Sequence, residues 1–326
     1  MVSLKDIANE LGLSVSVVSR ALNPVPDANA RVSEKTRELV LETCQRLGYR
    51  RNRVAEFVKR RRFPAIGIFL PRTANSLIAN LLFGISEEAG SKDFPLLIHT
   101  GMDETSYLEF IHNNLDLAAS GIITYSATQY HQPSNQDLLK KYCANGGKVL
   151  ILNDCTIKGY TKLYIDEYKG GRLAAEMLID SGCRNFICFN NETVAYAASV
   201  NQMRYEGFCS KLCEKGAACH LCSSLEELLM LLKKVSDCGV FAVSDSLAMN
   251  ILQYTSNFGL RVPDNFKLVG YDDMEWSATM GLSTIRQPFR EEGRRAATKI
   301  IEMIYGKEEK DEVFMPSAVA RKTTGS

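Results

Sequence analysis

Apolar residues in the first fifty positions recur at helical spacing. Leu4, Ile7, Ala8 and Leu11 fall at i, i+3, i+4 and i+7, one face of a short amphipathic helix, and Ser3 with Asp6 three residues on forms a capping box before it. Gly12 breaks the pattern. Ser14 then offers an N-cap to a second helix over Val15–Leu22, which turns Val18, Ala21 and Leu22 inward and presents Val15, Ser16, Ser19, Arg20 and Asn23 on its other face. A third helix is expected from Ser33 to Leu47, with Gly48 as its C-terminal cap. A small residue (Ala8), a turn glycine (Gly12) and an apolar anchor (Val18) suit the tight crossing of a helix-turn-helix.

From residue 64 the period shortens. The runs AIGIFL (65–70), PLLIHT (95–100), GIITYS (121–126) and KVLILN (148–153) form one series of strands. LYID (163–166), NFICFN (185–190), GVFAVS (239–244) and FKLVGY (266–271) form a second. Helical stretches such as LIANLLFGISEEAG and YKGGRLAAEMLIDSG lie between them. Near-continuous apolar strands alternating with helices predict parallel sheets covered on both faces, here as two doubly wound subdomains. In such folds ligands bind beyond the carboxyl ends of the strands. The polar residues there are Asn75, Tyr125, Asn153, Ser244, Asp245, Asp272 and Gln287, with Arg204 at the start of a helical segment. Each has an ordinary alternative: Asp245 would equally cap the helix that follows it, and GYDD (270–273) would equally be a turn.

Composition sharpens this division. At 326 residues the chain exceeds one ordinary core, and 45% hydrophobic with 24% charged residues is a globular balance. The net charge of +1 conceals an asymmetry: residues 1–62 carry 13 Lys/Arg against 7 Asp/Glu, and the remainder 26 against 31. A basic head on an acidic body is the distribution expected of a chain that meets nucleic acid at one end. There is no apolar run of membrane-spanning length and no apolar segment at the N-terminus, so no membrane association and a cytoplasmic location are expected, with the ten cysteines as reduced thiols.

The exposed face of the second helix then acquires chemistry. Arg20 has the fork to hold a guanine edge, Val15 an apolar surface for a thymine methyl, and Ser16 a hydroxyl for base edges. Ser14, Ser19 and Asn23 are short polar groups suited to phosphate oxygens. LKDIANELGLSVSVVSRALN, followed by VSEKTRELV and LGYRRNRVAEFV, resembles the head and hinge of the lactose-repressor (LacI/GalR) family. The resemblance continues through RYEGF, RVPDNFKLVGYDD, STIRQPF and the terminal ARKTT, covering nearly the whole chain.

That resemblance implies an N-terminal all-α helix-turn-helix head (1–50), a hinge helix and linker (51–63), and a periplasmic-binding-protein-like α/β core (64–326) of two lobes joined by three crossovers. Lobe 1 is expected at about 64–162 and 290–316, lobe 2 at about 163–287 with the C-terminal tail. It implies base reading by Val15, Ser16 and Arg20, and a hinge over Asn52, Arg53, Val54, Ala55, Val58 and Lys59 that folds on the operator. It further implies a polar effector, a sugar or sugar derivative, in a cleft around Arg204 and Asp272 that Asn153, Ser244 and Gln287 also line. The partners implied are a palindromic double-stranded operator, a small-molecule effector and a second copy of the chain.

Several positions depart from the family pattern. Val58 stands where a leucine wedge is usual, and NPVPDANARVS is a longer loop whose Arg31 is placed for a phosphate. Leu77 and Ile78 make one cleft wall aliphatic where aromatics are common, and NNETVAYAASVNQMR replaces a glycine-proline version. Asn153 and Ser244 replace residues that are often Asp and Asn. Trp276, the single tryptophan, is expected to pack rather than stack on a ligand.

Catalysis finds no support. No Gly-rich phosphate loop, GxSxG elbow or HExxH helix occurs, and His99, His112, His131 and His220 are scattered. Cys209, Cys213, Cys219, His220 and Cys222 cluster, but a strand over 218–223 would send Cys219 and Cys222 to opposite faces, so neither metal nor cofactor is expected. A solute-binding protein for uptake would explain the core but leave the head without a role. Control by a partner protein, or by no ligand, keeps the head and drops the sugar.

Overall fold

The computed structural model describes residues 2–22, 32–49, 63–72, 75–125, 133–153, 158–191 and 195–325. The head is three helices, Leu4–Leu11, Val15–Ala21 and Glu34–Leu47. Ser3 and Asp6 close the capping box, and Gly12 ends the first helix at φ 63°, a left-handed conformation that costs a side-chain-bearing residue. Ile7, Ala8, Val18, Ala21, Val40 and Cys44 make the small core, as the periodicity requires.

Two six-stranded sheets follow. The first has the order β11-β5-β4-β3-β1-β2, the second β12-β10-β9-β8-β6-β7. In the first, β1 (Phe63–Pro71), β2 (Leu96–Gly101), β3 (Ala119–Tyr125), β4 (Lys148–Leu152), β5 (Thr161–Ile165) and β11 (Glu312–Phe314) are all parallel. In the second, β6 (Asn185–Phe189), β7 (Cys219–Cys222), β8 (Cys238–Ala242), β9 (Phe266–Asp272) and β10 (Ser283–Arg286) are parallel. Only β12 (Ser317–Val319) runs antiparallel there, against β10. Alternate residues of each strand feed opposite layers. Ile66, Ile68 and Leu70 of β1 pack under helices Ser76–Ser91 and Phe289–Ile304, while Phe69 packs under Glu104–Asp116.

LYID was expected to open the second series. It pairs instead with β4 and β11 in the first sheet, so the first lobe runs to Ile165 rather than 162. The chain passes between sheets three times, at Ile165–Glu167, Arg286–Phe289 and Phe314–Ser317. A backbone hydrogen bond from Asp166 N to Phe314 O, 3.0 Å, ties the first crossing to the third.

Beside the crossings each lobe closes through a glycine-packed helix pair. In the first lobe a Cβ on Gly84 would collide with the backbone of Arg290, and one on Gly293 with that of Leu81. In the second, a Cβ on Gly171 would strike Arg204 O and one on Gly207 would strike Tyr168 O. The close approach of Glu167–Asp180 to Ala195–Glu214 sets the residues of one helix against those of the other.

Candidate functional site: the DNA-reading head and the interlobe cleft

Ser14 caps the second head helix, its Oγ accepting from Val17 N at 3.3 Å, which leaves the hydroxyl proton free to donate. Val15, Ser16, Ser19 and Arg20 are exposed on one side of that helix while Val18 and Ala21 are buried on the other. Arg20 folds back on its own helix, Nε donating to Ser16 O and Nη2 to Ser16 Oγ, each at 3.2 Å. These bonds are exposed and are worth little in water, so they restrain the guanidinium without consuming it. The predicted readers therefore share one free face. Asn23, Arg31 and the hinge residues Asn52, Arg53, Val54, Ala55, Val58 and Lys59 lie outside the described residues.

The cleft is organised around Arg204, which sits in the middle of its helix rather than at the start. Nε and Nη2 form a two-pronged bridge with Glu167, at 2.8 and 3.1 Å. Nη1 donates to Val243 O at 2.8 Å and to Asn201 Oδ1 at 3.4 Å. The guanidinium lies 3.8 Å over the ring of Tyr271, with Asp272 at 3.9 Å. Burial opposes its charge, but Glu167 more than compensates, and Arg204 is held protonated.

Asp272 ends β9 at φ 124°, a strained conformation for a residue with a Cβ, of the kind that costs roughly 1–3 kcal/mol. This strand end is fixed from several directions. Gln287 Nε2 donates to Asp272 Oδ1 at 2.7 Å, while Asp273 accepts from Arg286 at 2.6 Å and Arg321 at 2.7 Å. GYDD is therefore the end of a strand rather than a turn, and it aims one carboxylate. Burial raises the Asp272 carboxyl to about 7, with Arg204 opposing.

Among the predicted cleft residues, Arg204, Asp272 and Gln287 form one hydrogen-bonded and ionic cluster. Asn153, at φ 53°, accepts from Ile165 N at 3.3 Å and donates to Glu292 at 3.2 Å. A cavity beside the first crossing is lined by Asn153, Ile165, Asp166, Glu167, Val200 and Met203. Asn75 and Ser244 act as N-caps, and Tyr125 is buried in the first-lobe core. Asp245 corrects the expectation of a ligand contact: it is fully buried, with Oδ1 accepting from Thr284 and Oδ2 from Ser277 and Met274 N. Both oxygens are engaged within the chain. It pins the GYDD strand end from behind.

Leu77 and Ile78 pack partly buried against the first-lobe core, and Trp276, as expected, packs against the second-lobe core. Cys219 and Cys222 do feed opposite faces of the second sheet, and no group of three metal-ligating residues converges among the described residues.

Glu167 and Glu292 escaped the sequence reading. Glu167 follows Asp166 at a helix start, where two acids are unremarkable. Glu292 carried a signal: it lies three residues after Phe289 and four before Ala296, on the apolar stripe of its helix. It is fully buried, with its carboxyl raised to about 8 by burial.

Comparison with known proteins agrees with this arrangement at both ends of the chain. Residues 3–52 match the family of bacterial regulatory proteins of the lacI type, and residues 175–324 match a periplasmic binding protein-like domain. The ribose operon repressor of Bacillus subtilis is 28% identical over 316 residues, covering 93% of this chain and 92% of that protein. The transcriptional repressor PurR of Mannheimia succiniciproducens is 25% identical over 343 residues, covering 99% and 98%. Among solved structures, the lac repressor dimer bound to operator and the anti-inducer ONPF superposes with a TM-score of 0.69 at 23% identity, covering 99% of each chain.

Proposed function

This chain belongs to the lacI family of bacterial regulatory proteins, and we propose that it is a repressor whose grip on a palindromic operator is set by a small polar effector in the interlobe cleft. The observation that carries the proposal is the pairing of two surfaces in one chain. A free polar helix face lies at one end, and a largely buried Arg204–Asp272–Gln287 cluster lies beside the three chain crossings at the other.

Val15, Ser16 and Arg20 read base edges while Ser14, Ser19 and Asn23 meet phosphates, with Val58 as the minor-groove wedge of the hinge. Planar guanidinium and carboxylate together present paired donors and acceptors, which suits a sugar's hydroxyls. Ligand that binds one lobe arrangement better than another shifts the spacing of two hinges and hence operator affinity.

Two heads need two chains. The edge strands support that: Ile98 on β2 and Leu221 on β7 stand exposed, 51% and 47% accessible, on the open edges of the two sheets. Unpaired apolar edges are what a partner copy covers. No described helix is long and apolar enough to cross a membrane, which fits action on cytoplasmic DNA.

Fluorescence anisotropy with fragments from the protein's own promoter region tests this reading. A saturable shift that responds to at least one sugar or nucleoside is expected. Absence of any specific fragment, with or without small molecules, would overturn it. A specific shift indifferent to every small molecule would assign control to a partner protein instead.

A further inference from the structure

Between Cys209 and Cys219 the chain folds back on itself. From Cys209 the helix Ala195–Glu214 runs on for five residues, a rise of about 7.5 Å. It ends in a tight turn, Gly216 N donating to Cys213 O and Ala217 N to Leu212 O, each at 3.0 Å. The chain then returns into β7 at about 3.3 Å per residue, which brings Cys219, two residues past Ala217, level with Cys209.

The faces agree as well. Tyr205, Phe208 and Leu212 form the helix stripe that packs over the second sheet, and Cys209, four residues after Tyr205, lies on that stripe. Cys219, opposite Phe186 in the register of β6 and β7, packs against the same cluster. The thiols meet there: Cys209 accepts a hydrogen bond from Cys219 and another from the Tyr205 hydroxyl. Other pairings are disfavoured. Cys213 stands four residues along the helix, where Cβ atoms lie about 5–6 Å apart and a disulfide needs about 3.5–4.5 Å. Cys222 faces the other side of the sheet, and Cys188 is wholly buried.

Burial pushes the thiols of Cys183, Cys188, Cys222 and Cys238 up, whereas the bonds from Cys219 and Tyr205 hold Cys209 below the ordinary thiol value. Cys209 and Cys219 are both only half-buried. An accessible thiolate poised next to a resolving thiol is the arrangement that oxidants select.

We propose that Cys209 and Cys219 form a redox switch, joined into a disulfide by hydroperoxides, which acts on the cleft through the helix that carries both Cys209 and Arg204. The Cys209 thiolate attacks a peroxide oxygen; the O–O bond breaks, the leaving oxygen departs as water or an alcohol, and Cys209 becomes a sulfenic acid. The Cys219 sulfur then attacks the Cys209 sulfur, the S–S bond forms as the S–O bond breaks, and the thiol proton leaves with the hydroxyl as water. Two thiols and one hydroperoxide thus give one disulfide, one alcohol or water, and one water. A dithiol reductant reverses it by exchange. Arg204 lies less than two turns from Cys209, so a bond that draws the helix toward β7 moves the guanidinium's anchor. The effect on operator binding rests on the repressor reading above; the disulfide itself does not.

The test treats the reduced, full-length protein with a few equivalents of hydrogen peroxide at pH 7, blocks free thiols and maps tryptic peptides without reduction. Cleavage after Arg204, Lys211, Lys215 and Lys233 puts Cys209, Cys213 and Cys219 on three separate peptides. A link between the first and third is expected, placed on Cys219 by fragmentation and removed by dithiothreitol. Cys209→Ser and Cys219→Ser should abolish it, and Cys213→Ser, at an exposed position, should not. Should the first two not fold, the wild-type map decides alone. Limited alkylation of the reduced protein should label Cys209 ahead of the more exposed Cys213. Operator affinity of the oxidised protein should differ from that of the reduced protein at least about fivefold. No disulfide, or one through Cys213, Cys222 or a second chain, overturns the inference. A mapped Cys209–Cys219 bond with operator affinity unchanged overturns the switch and leaves the repressor reading standing. Reduced protein that binds no specific fragment overturns the repressor reading instead, and with it the regulatory half of this inference.

Discussion

The head and the cleft are built on opposite terms. The head's proposed DNA-contacting residues, Val15, Ser16, Ser19 and Arg20, stand exposed on a seven-residue helix, Arg20 bonding only to Ser16. The cleft's proposed effector residues, Arg204 and Gln287, are buried and Asp272 is nearly so, and all three are bound by the chain's own groups on several sides. A surface reader is replaceable without structural penalty, whereas a buried one is also a structural member. Function and stability separate in the head and merge in the cleft.

The comparison breaks most visibly at Arg204. Arg204→Ala should cost about 3–5 kcal/mol of stability by stranding Glu167 as an uncompensated buried charge, measured by chemical denaturation. Stability unchanged within error would show the bridge to be solvated and the contrast false.

A second effect belongs to the cleft alone. The folded carboxyls of Asp272 and Glu292 stand at about 7 and about 8, above their ordinary values of 3.8 and 4.5. The folded state therefore holds protons the unfolded chain has released, and stability present in acid is lost as pH rises through 7 and 8, by at most about 1.4 kcal/mol per pH unit for each group. Thermal unfolding of wild type should weaken from pH 6 to 8.5 more than that of the Asp272→Asn, Glu292→Gln double variant. Parallel curves would mean that neither group is buried as described.

In the head, Arg20→Ala should weaken specific operator binding by about 1–3 kcal/mol and relax preference at one base pair, with the melting temperature unmoved. Uniform weakening on all sequences would make Arg20 a phosphate contact. The smallest effect is expected at Ser14, where Ala removes a cap worth about 1 kcal/mol to the head while sparing the cleft. Loss of effector affinity in that variant in the absence of DNA would show that the cleft depends on the head's own folding rather than on operator binding.

The same contrast explains what the sequence disclosed. The head was legible because its code is local: i, i+3, i+4 spacing, Ser3 and Ser14 as caps, and Gly12 at a positive φ all act within a few residues. The alternating strands and helices of the core were legible for the same reason. Assignment of LYID to a sheet was not, because apolar pattern fixes a strand but not its neighbour, and β11, far along the chain, completes its pairing. In the cleft, Asp272 was found at a strand end and Arg204 by resemblance to a family, while Glu167 and Glu292 become partners only once helices cross. Asp245 shows the converse. An acid at the end of a strand reads as a ligand contact until Ser277 and Thr284, distant in sequence, are seen to satisfy it.

The central claim is that the exposed face and the buried cluster are energetically coupled, and reciprocity tests it most directly. Effector affinity should be measured by calorimetry with and without saturating operator, and operator affinity by anisotropy with and without saturating effector. The account predicts that each ligand changes the other's affinity by the same factor, at least about fivefold. Effector affinity that ignores operator DNA would contradict it.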